Sequence, residues 1–506
     1  MTTLADVIAD HGHNVTIFQP FHRALKNIEG LQKHQNVEVI NYYPDHYEEL
    51  ETHQTQSFPM FWDSYLTNNR ISQTFTMSLA LAKDYKRTAV QVLKDQEILE
   101  DLRKRNFDVM LCEAFELSGF CMLENMISSF LMSFLDVAHL LNISTIPVMS
   151  AVRSAPFNAL FGQPSVLGYT SQPKGFFDRL SDVYQNFFWN MMLTRLADLQ
   201  YSYIQEAIGR PVPNWKDLVK ESPIFITNSN PYLDFAVPTT PAIVQVGGIT
   251  MDRKKKTAML PEDYENILRE RESTVLISFG SVIRSFQMPE NFKTGLIKMF
   301  ESLPDVTFIW KYEKDDVEFQ KKLPKNVHLK KWVPQPALLA DERIKAFITH
   351  GGLGSTMEVA YSGIPAVMIP IFADQYDNAK MLARHGGAAV YDKFDLKDGE
   401  KLARIVKDLV ENPKYKKSAE KLLEVLKSQP IDPKDNLIKH LELAMKFPKL
   451  RSQVPAHTGF IADYYLDVIG FFVLITMVTA YIVSKVMSRI VRRVHMKFTG
   501  RKLKKN

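Results

Sequence analysis

The fold is decided by residues 347–358, which read FITHGGLGSTME. A short β-branched and aromatic run predicts a strand, glycines follow it, and the next residues open a helix. The first turn of a helix presents unpaired N–H groups and positive dipole charge, which favour a bound anion. Gly352 and Gly354 let a ligand approach the backbone closely, and Ser355 adds a hydroxyl group. The segment therefore predicts an α/β domain with an anion site at the end of a strand.

Two side chains of this segment give the anion site its chemistry. His350 stands at the strand tip, where it can donate to a phosphate oxygen and stabilise negative charge as it develops. Glu358 lies one turn into the helix, where its carboxylate can accept from both hydroxyl groups of a ribose. The glycine turn matches neither the P-loop nor the dinucleotide-binding motif.

The preceding segment supplies a flat apolar surface. Trp332 and Gln335 belong to KWVPQ, residues 331–335, and Trp332 is predicted to end a strand that begins near Val327. An indole there can stack on a flat base, and the Gln335 amide can donate and accept hydrogen bonds at a base or ribose. A single Trp is more often part of a core, so this assignment depends on the glycine turn that follows.

Two more loops complete the predicted site. Ser281, with Gly280, follows the predicted strand Thr274–Phe279 and can face the phosphates from the opposite side. Asp374 and Gln375 offer a carboxylate and an amide to adjacent sugar hydroxyl groups, although such a pair also often caps a helix. A base surface, a diphosphate site and sugar contacts in one line indicate a sugar nucleotide that acts as a donor. The phosphate charge is met by a helix end and a histidine, so we predict neither a metal nor a cofactor.

Short β-branched runs alternate with helical patterns along the whole chain, which predicts parallel sheets with crossover helices. We predict two Rossmann-like domains facing a cleft, residues 1–245 and 246–447. Ten strands are predicted at Val15–Phe18, Val37–Asn41, Val109–Cys112, Thr145–Met149, Ile224–Thr227, Thr274–Phe279, Thr307–Trp310, Ala346–Thr349, Ala366–Ile369 and Ala388–Tyr391. The sequence opens within a helix that feeds the strand at Val15, whereas a doubly wound domain should begin with a strand before that helix.

The C-terminal residues differ from the rest of the chain. Residues 464–484 are nearly all apolar, and the length of this stretch is about that of a transmembrane helix. Residues 485–506 hold nine of the 62 Lys and Arg and none of the 57 Asp and Glu, so the positive-inside rule predicts a basic cytosolic tail. A buried core helix is the alternative, but it would not end in such a tail. Without the tail the chain is mildly acidic, which argues against a nucleic-acid partner.

The stretch from Trp332 to Gln375 resembles the signature of the UDP-glycosyltransferases, the family that contains the UDP-glucuronosyltransferases. Residues 228–230 (NSN), residues 246–248 (VGG) and the C-terminal anchor resemble the same family. The resemblance implies a two-domain GT-B fold. The positive-inside rule puts residues 1–463 on the lumenal side, and the last residues match the spacing of a lysine-based endoplasmic-reticulum retrieval signal. The resemblance implies uracil stacking by Trp332 and ribose contacts from Gln335 and Glu358. It also implies diphosphate contacts from His350, Ser355 and Ser281, and sugar contacts from Asp374 and Gln375.

Catalysis is less complete in the sequence. Inverting transfer needs a base that takes the acceptor's proton, and in the resembled family this is a His held by a carboxylate. Glu113 matches the carboxylate position, although a solvated loop acid is the alternative. The base His has no counterpart, because its position falls before Met1. His11 and His13 follow the first helix at the end far from the catalytic loop, and His22 has no identifiable partner.

Two hypotheses follow for function. The first is an inverting enzyme that moves glucuronate or glucose from a UDP-sugar to a small lipophilic hydroxyl compound at an apolar cleft. The second is a catalytically impaired, truncated form that binds UDP-sugar and acts as a regulatory or partner protein. Homo- and hetero-oligomers are both compatible with the sequence. Candidate cleft or membrane-facing residues are Phe157, Leu160, Phe161, Tyr169, Phe176, Phe177 and Phe188.

Overall fold

A computed structural model describes the chain at residues 2–20, 36–45, 60–63, 90–113, 144–149, 175–177, 222–236, 239–251, 259–281, 283–372, 374–448 and 465–502, with a few single residues between them. It forms two compact units, Met1–Gln453 and Val454–Asn506.

Strands and helices alternate through the first unit. In chain order the strands are β1 (Val15–Pro20), β2 (Val37–Tyr42), β3 (Val109–Glu113), β4 (Ser144–Met149), β5 (Phe225–Thr227), β6 (Ile243–Gln245), β7 (Ser273–Ser278), β8 (Val306–Lys311), β9 (Val327–Lys330), β10 (Ile344–Thr349), β11 (Ala366–Met368) and β12 (Ala388–Val390). The α-helices are α1 (Thr2–Asp10), α2 (Met60–Asp63), α3 (Gln96–Lys104), α4 (Glu262–Leu268), α5 (Glu290–Glu301), α6 (Val317–Gln320), α7 (Gln335–Leu339), α8 (Leu353–Ser362), α9 (Gln375–Ala383), α10 (Gly399–Glu411), α11 (Pro413–Lys427), α12 (Pro433–Lys446) and, in the second unit, α13 (Leu466–Lys502). Two 3₁₀ turns, Ser285–Gln287 and Lys393–Lys397, complete the elements of the described ranges.

A six-stranded parallel sheet in the order β12-β11-β10-β7-β8-β9 organises residues 259–448. Its central strands β7 and β10 carry the apolar runs Val275–Ile277 and Ala346–Ile348, in which Leu276, Ile277, Phe347 and Ile348 are fully buried. Such runs are expected where helices cover both faces of a parallel sheet. The order reverses direction beside β7 and β10, so the loops after these two strands meet at one edge, where open α/β sheets bind ligands.

The ten predicted strands agree with the structure to within two residues at each end. Two details differ. The strand that begins at Val327 ends at Lys330 rather than at Trp332, because the next residues turn toward Pro334. The three-residue strand β6 was not predicted, because it coincides with the segment interpreted as a domain junction.

The described strands of residues 1–245 form two sheets. One pairs β1 with β2, and the other has the order β3-β4-β5-β6; both are parallel. Helix α1 packs against both: Leu4 and Ile8 join a core with the four-stranded sheet, whereas Ala5 joins a core with Val37 of β2. The α/β class and the parallel pairing confirm the fold prediction.

Helix α12 crosses the predicted domain boundary. The sequence places it in the domain 246–447, yet Leu437, Ile438 and Leu441 belong to the core formed by α1 and the β3–β6 sheet. The Asn436 amide also donates to the carbonyl oxygen of Gln245 in β6, at 2.9 Å. Sequence order cannot reveal such a return, because an amphipathic helix gives no signal of which sheet its apolar face will cover. The boundaries at 245 and 447 stay predictions.

Helix α13 is longer than the predicted span. It runs from Leu466 to Lys502, so the segment predicted at 464–484 continues as helix through most of the basic tail. Among the described residues, the segment Leu466–Met496 of this helix is the one that is long and apolar enough to cross a membrane; the mean hydropathy of its apolar part is 2.3, and none of that part is buried. The continuation has a physical reason, since Lys, Arg, Met and the valines between them carry no helix breaker before Gly500.

Candidate active site

The imidazole of His350 is enclosed by two glycines at the carboxyl end of β10. A Cβ added at Gly280 would lie 2.6 Å from its Cε1 atom, and one added at Gly352 would lie 2.6 Å from its Nε2 atom. Gly280 also has φ +87°, a backbone conformation that L side chains rarely adopt. Both positions therefore require glycine, and the histidine ring is fixed between the loops that follow β7 and β10.

Burial and a nearby cation keep this histidine neutral. Desolvation, followed by the positive charge of Lys311, lowers the pKa of His350 to about 4. A neutral imidazole carries one N–H and one acceptor nitrogen. His350 is therefore suited to donate a hydrogen bond to an anion rather than to bind it as a cation.

Helix α8 begins beside His350 with an open first turn. Gly352 occupies the N-cap position and provides no side-chain hydrogen bond to the N–H groups of the first turn. The hydroxyl of Thr356 instead donates to the carbonyl oxygens of Gly351 and Gly352, at 3.2 and 3.0 Å. A Cβ at Gly354 would meet no atom within 4 Å. The helix tip thus combines positive dipole charge with room for a ligand.

Trp332 and the polar pair beside it lie on the other side of this tip. The Trp332 side chain is 71% exposed although it is large and apolar, and its carbonyl oxygen accepts a 2.6 Å hydrogen bond from the Tyr264 hydroxyl. The Gln335 amide donates to Glu358 at 2.5 Å and to the Ser355 hydroxyl at 3.2 Å. Burial raises the pKa of Glu358, while Gln335 opposes this effect. An exposed indole and a desolvated carboxylate in one place are chemically suited to a base and a ribose.

The loop after β11 approaches from a third side. Asp374 precedes α9, but its side chain makes no N-cap hydrogen bond and instead accepts from the Asn378 amide at 2.7 Å. The same amide donates to the carbonyl oxygen of Gly351 at 2.9 Å, which joins this loop to the glycine turn. The Gln375 oxygen accepts from the N–H groups of Ile371 and Phe372, at 2.9 and 3.1 Å. Gln375 is thus buried and shapes the loop, whereas Asp374 is partly exposed.

Sequence reasoning missed Lys311, at the carboxyl end of β8. It is 5% exposed, its ammonium group donates to the carbonyl oxygen of Gly280 at 2.6 Å, and it lies 5.0 Å from the centre of the Trp332 ring. Burial lowers its pKa, which Glu313 opposes. A signal was available: a lysine that ends a mostly apolar strand beside β7 must place its charge at the ligand-binding edge.

Ser281 lies directly after Gly280, at the end of the β7 loop, and is exposed. The structure therefore brings the predicted donor-site residues to one edge of the six-stranded sheet, around the helix tip and its three neighbouring loops. Those residues are Ser281, Trp332, Gln335, His350, Gly352, Gly354, Ser355, Glu358, Asp374 and Gln375.

The catalytic side of the site is described less fully. Glu113 is the last residue of β3, as predicted, and its side chain lies outside the described residues. The Nδ1–H group of His11 donates to the carbonyl oxygen of Val7 at 2.8 Å, and the Nε2 atom of His13 lies 3.9 Å from Glu442 of α12. Both histidines thus make local structural contacts at the end of α1. His22 lies outside the described residues, as do most of the aromatic cleft candidates, while Phe176 and Phe177 are 64% and 79% exposed.

Solved structures share this fold. A glycosyltransferase of kitacinnamycin matches with TM-score 0.53 and 17% identity, covering 90% of this chain and 95% of that one. UGT89C1 of Arabidopsis thaliana matches with TM-score 0.53 and 17% identity, covering 88% and 95%. At this identity the likeness establishes the GT-B fold alone.

Curated relatives cover nearly the whole chain. The bovine (Bos taurus) UDP-glucuronosyltransferase 3A1 is 26% identical over 97% of this chain and 91% of its own length. The rabbit (Oryctolagus cuniculus) UDP-glucuronosyltransferase 2B16 is 27% identical over 100% of this chain and 94% of its own length. The family model described as UDP-glucoronosyl and UDP-glucosyl transferase matches residues 1–502. Together with the GT-B fold, this match shows that the chain is a glycosyltransferase that belongs to the UDP-glucoronosyl and UDP-glucosyl transferase family.

Proposed function

We propose that this enzyme moves glucuronate or glucose, with inversion, from a UDP-sugar to a small lipophilic hydroxyl compound. The observation that carries the proposal is that chemically distinct groups meet at one edge of the sheet: the exposed Trp332 indole, the Gln335–Glu358 pair and the open tip of α8 beside His350. Uracil stacks on the indole, the ribose hydroxyl groups donate to Glu358, and the diphosphate meets the helix tip. The sugar then lies toward Asp374.

The same groups account for departure of the nucleotide. When the bond between the sugar and the diphosphate breaks, negative charge develops on the leaving oxygen. A neutral His350, the Lys311 ammonium group and the N–H groups of α8 lie on the side where that charge forms. Fixed dipoles and charges of this kind lower the barrier because they need no reorganisation during the reaction. Diphosphate charge is met without a metal in this proposal.

The acceptor is proposed to bind in the half formed by residues 1–245. Glu113 ends β3, a strand of the four-stranded sheet, at the carboxyl end where ligands of parallel sheets lie. We assign to Glu113 the orientation of the base that removes the acceptor's proton. The identity of that base is left open.

A single-pass anchor in the endoplasmic-reticulum membrane is proposed for α13, with the body lumenal and the tail cytosolic. The apolar residues of this helix are exposed along its whole described length. A lipophilic acceptor that partitions into the bilayer would then be concentrated near the enzyme.

The test is product formation by the full chain in membranes or detergent, with UDP-glucose and with UDP-glucuronate, against a panel of phenols and steroids. We expect a glycosylated product with at least one donor, and about a hundredfold loss in His350→Ala, since a single lost donor to developing charge costs about that much. Phe447→Ala, which removes an exposed aromatic side chain just after α12, is the matched control. Full activity in His350→Ala, or no product with either donor across the panel, would contradict the proposal.

A further inference from the structure

The short helix α2 places two aromatic side chains of the first half inside the second. Phe61 and Trp62 are both fully buried. The Phe61 ring stacks on Phe372 with ring centres 4.6 Å apart, and the Trp62 ring meets Phe279 edge-on at 5.1 Å. These two residues, here called the α2 wedge, therefore contact residues more than 200 positions away in the chain.

Both partners of the wedge stand at the base of a donor-site loop. Phe279 directly precedes Gly280 and Ser281, the β7 loop that encloses His350. Phe372 belongs to the β11 loop, which leads into Asp374. The backbone N–H of Phe372 donates to the side-chain oxygen of Gln375. One pair of adjacent side chains thus contacts the loop proposed for the diphosphate and the loop proposed for the sugar.

Hydrogen bonds fix the wedge in this place. The Trp62 indole N–H donates to the carbonyl oxygen of Arg284 at 3.3 Å. Lys393 is 1% exposed, and its ammonium group donates to the carbonyl oxygens of Phe61 at 2.7 Å and Ile371 at 2.8 Å. A buried cation that bonds to both the wedge and the β11 loop resists their separation, because either movement would leave a desolvated charge with a missing partner.

We propose that the α2 wedge is a positioning element for donor binding. Trp62 sets the β7 loop for the diphosphate, and Phe61 sets the β11 loop for the sugar. Trp332 is held by the Tyr264 hydroxyl, and the Gln335 amide bonds to Ser355 and Glu358, so we expect the base and ribose contacts to be independent of the wedge. The inference rests on the proposed function, since it assigns roles within the same donor site.

This division predicts two separable effects. The function of a site depends strongly on where its loops lie. A displacement of about 1 Å in a positioned site can lower the catalytic rate about a hundredfold. We expect Trp62→Leu to raise the Kd for UDP about tenfold while the Kd for uridine changes less than about twofold. Phe61→Leu is expected to raise the Kd for UDP-glucose and UDP-glucuronate about tenfold relative to the Kd for UDP.

The experiment is calorimetric titration of the full chain with uridine, UDP, UDP-glucose and UDP-glucuronate. Phe319→Leu is the matched control, because Phe319 stacks on Tyr312 at 5.2 Å and is 5% exposed, away from both loops in the sequence. Thermal melts establish that each variant is folded, and Trp62→Phe, which removes the indole hydrogen bond but keeps an aromatic ring, replaces Trp62→Leu if the latter does not fold.

The outcomes are distinct. The inference is supported if the Trp62 variant loses affinity for UDP relative to uridine, and if Phe61→Leu loses affinity for the sugar nucleotides relative to UDP. Unchanged Kd ratios in folded variants, or the same changes in Phe319→Leu, overturn it. If the unaltered protein binds UDP no more tightly than uridine, the proposed function itself fails, and this result is visible before any variant is compared.

Discussion

The sheet formed by β7–β12 and the sheets formed by β1–β6 are built from the same parallel strand and helix units, yet they differ in how their sites are specified. In the former, ten predicted site residues meet around one helix tip, and most lie between Trp332 and Gln375 of the sequence. In the latter, Glu113 is the one candidate placed on a described strand end, and the core itself is closed by the distant helix α12. Sites made from neighbouring loops can be predicted from sequence, whereas sites made from distant elements cannot.

Gly352→Ala should have the largest effect on UDP affinity, since the added Cβ would lie 2.6 Å from the His350 ring. We expect the ring to be displaced from the helix tip and UDP affinity to fall about a hundredfold, measured by calorimetry. Gly354→Ala provides the comparison for stability. Its Cβ meets no protein atom within 4 Å, so its melting temperature should match that of the unaltered chain, while Gly352→Ala melts lower. Equal melting temperatures for the two variants would sink the packing argument.

Lys311→Met should lower the affinity for UDP about tenfold and change the affinity for uridine little, because a buried cation near the proposed diphosphate site is removed. The same variant should raise the pKa of His350 above about 4, since the charge of Lys311 is one of the two causes that lower it. A histidine resonance followed by NMR across pH measures this directly. An unmoved pKa would show that burial alone keeps His350 neutral.

The depressed pKa of His350 also sets a pH dependence. Because the unfolded chain binds this proton near pH 6.5 and the folded chain near pH 4, stability is lost as pH falls through this window. At about 1.4 kcal/mol per pKa unit, the loss is on the order of 3 kcal/mol. His350→Asn should lack this part of the slope in urea denaturation curves measured from pH 7 to pH 4. Parallel slopes for the two proteins would contradict the assignment.

Glu358→Gln is expected to have a smaller effect on UDP affinity, about fivefold to tenfold, because an amide oxygen accepts a ribose hydroxyl less strongly than a carboxylate does. The loss should be smaller with 2′-deoxy-UDP, which lacks one of the two hydroxyl groups that donate to Glu358. A double-mutant cycle, in which the protein substitution is combined with the change of ligand, isolates the free energy of this contact. If the loss is equal for both nucleotides, Glu358 does not bind the ribose and only supports Gln335.

Leu441→Ala marks the other side of the comparison and should leave UDP affinity unchanged. Leu441 is 1% exposed in the core shared by α12, α1 and the β3–β6 sheet, so its truncation should cost about 2–5 kcal/mol of stability. Denaturant unfolding and UDP titration of the same sample test both statements. A tenfold loss of UDP affinity in the folded variant would show that the first half governs the whole donor site.

Most of the fold, and the grouping of the candidate donor-site residues, could be predicted from the sequence because each element carries its own signal. The β-branched runs of β7 and β10, the glycines around His350 and the charge of Glu358 are all local features. The sequence could not reveal that Gln375 holds backbone N–H groups, that Lys311 reaches the Gly280 carbonyl, or that Phe61 and Trp62 pack into the second half. Those facts depend on side-chain directions between elements that are far apart in the chain.

The central claim is that an indole and a helix tip together bind a uridine diphosphate carrier. Titration of the full chain with UDP, compared with Trp332→Ala, tests it most directly. The account predicts saturable binding that weakens about tenfold or more in the variant, since stacking of a base on an aromatic ring is worth about 1–3 kcal/mol. Equal affinity for UDP in both proteins, or no binding by the unaltered chain, would contradict it.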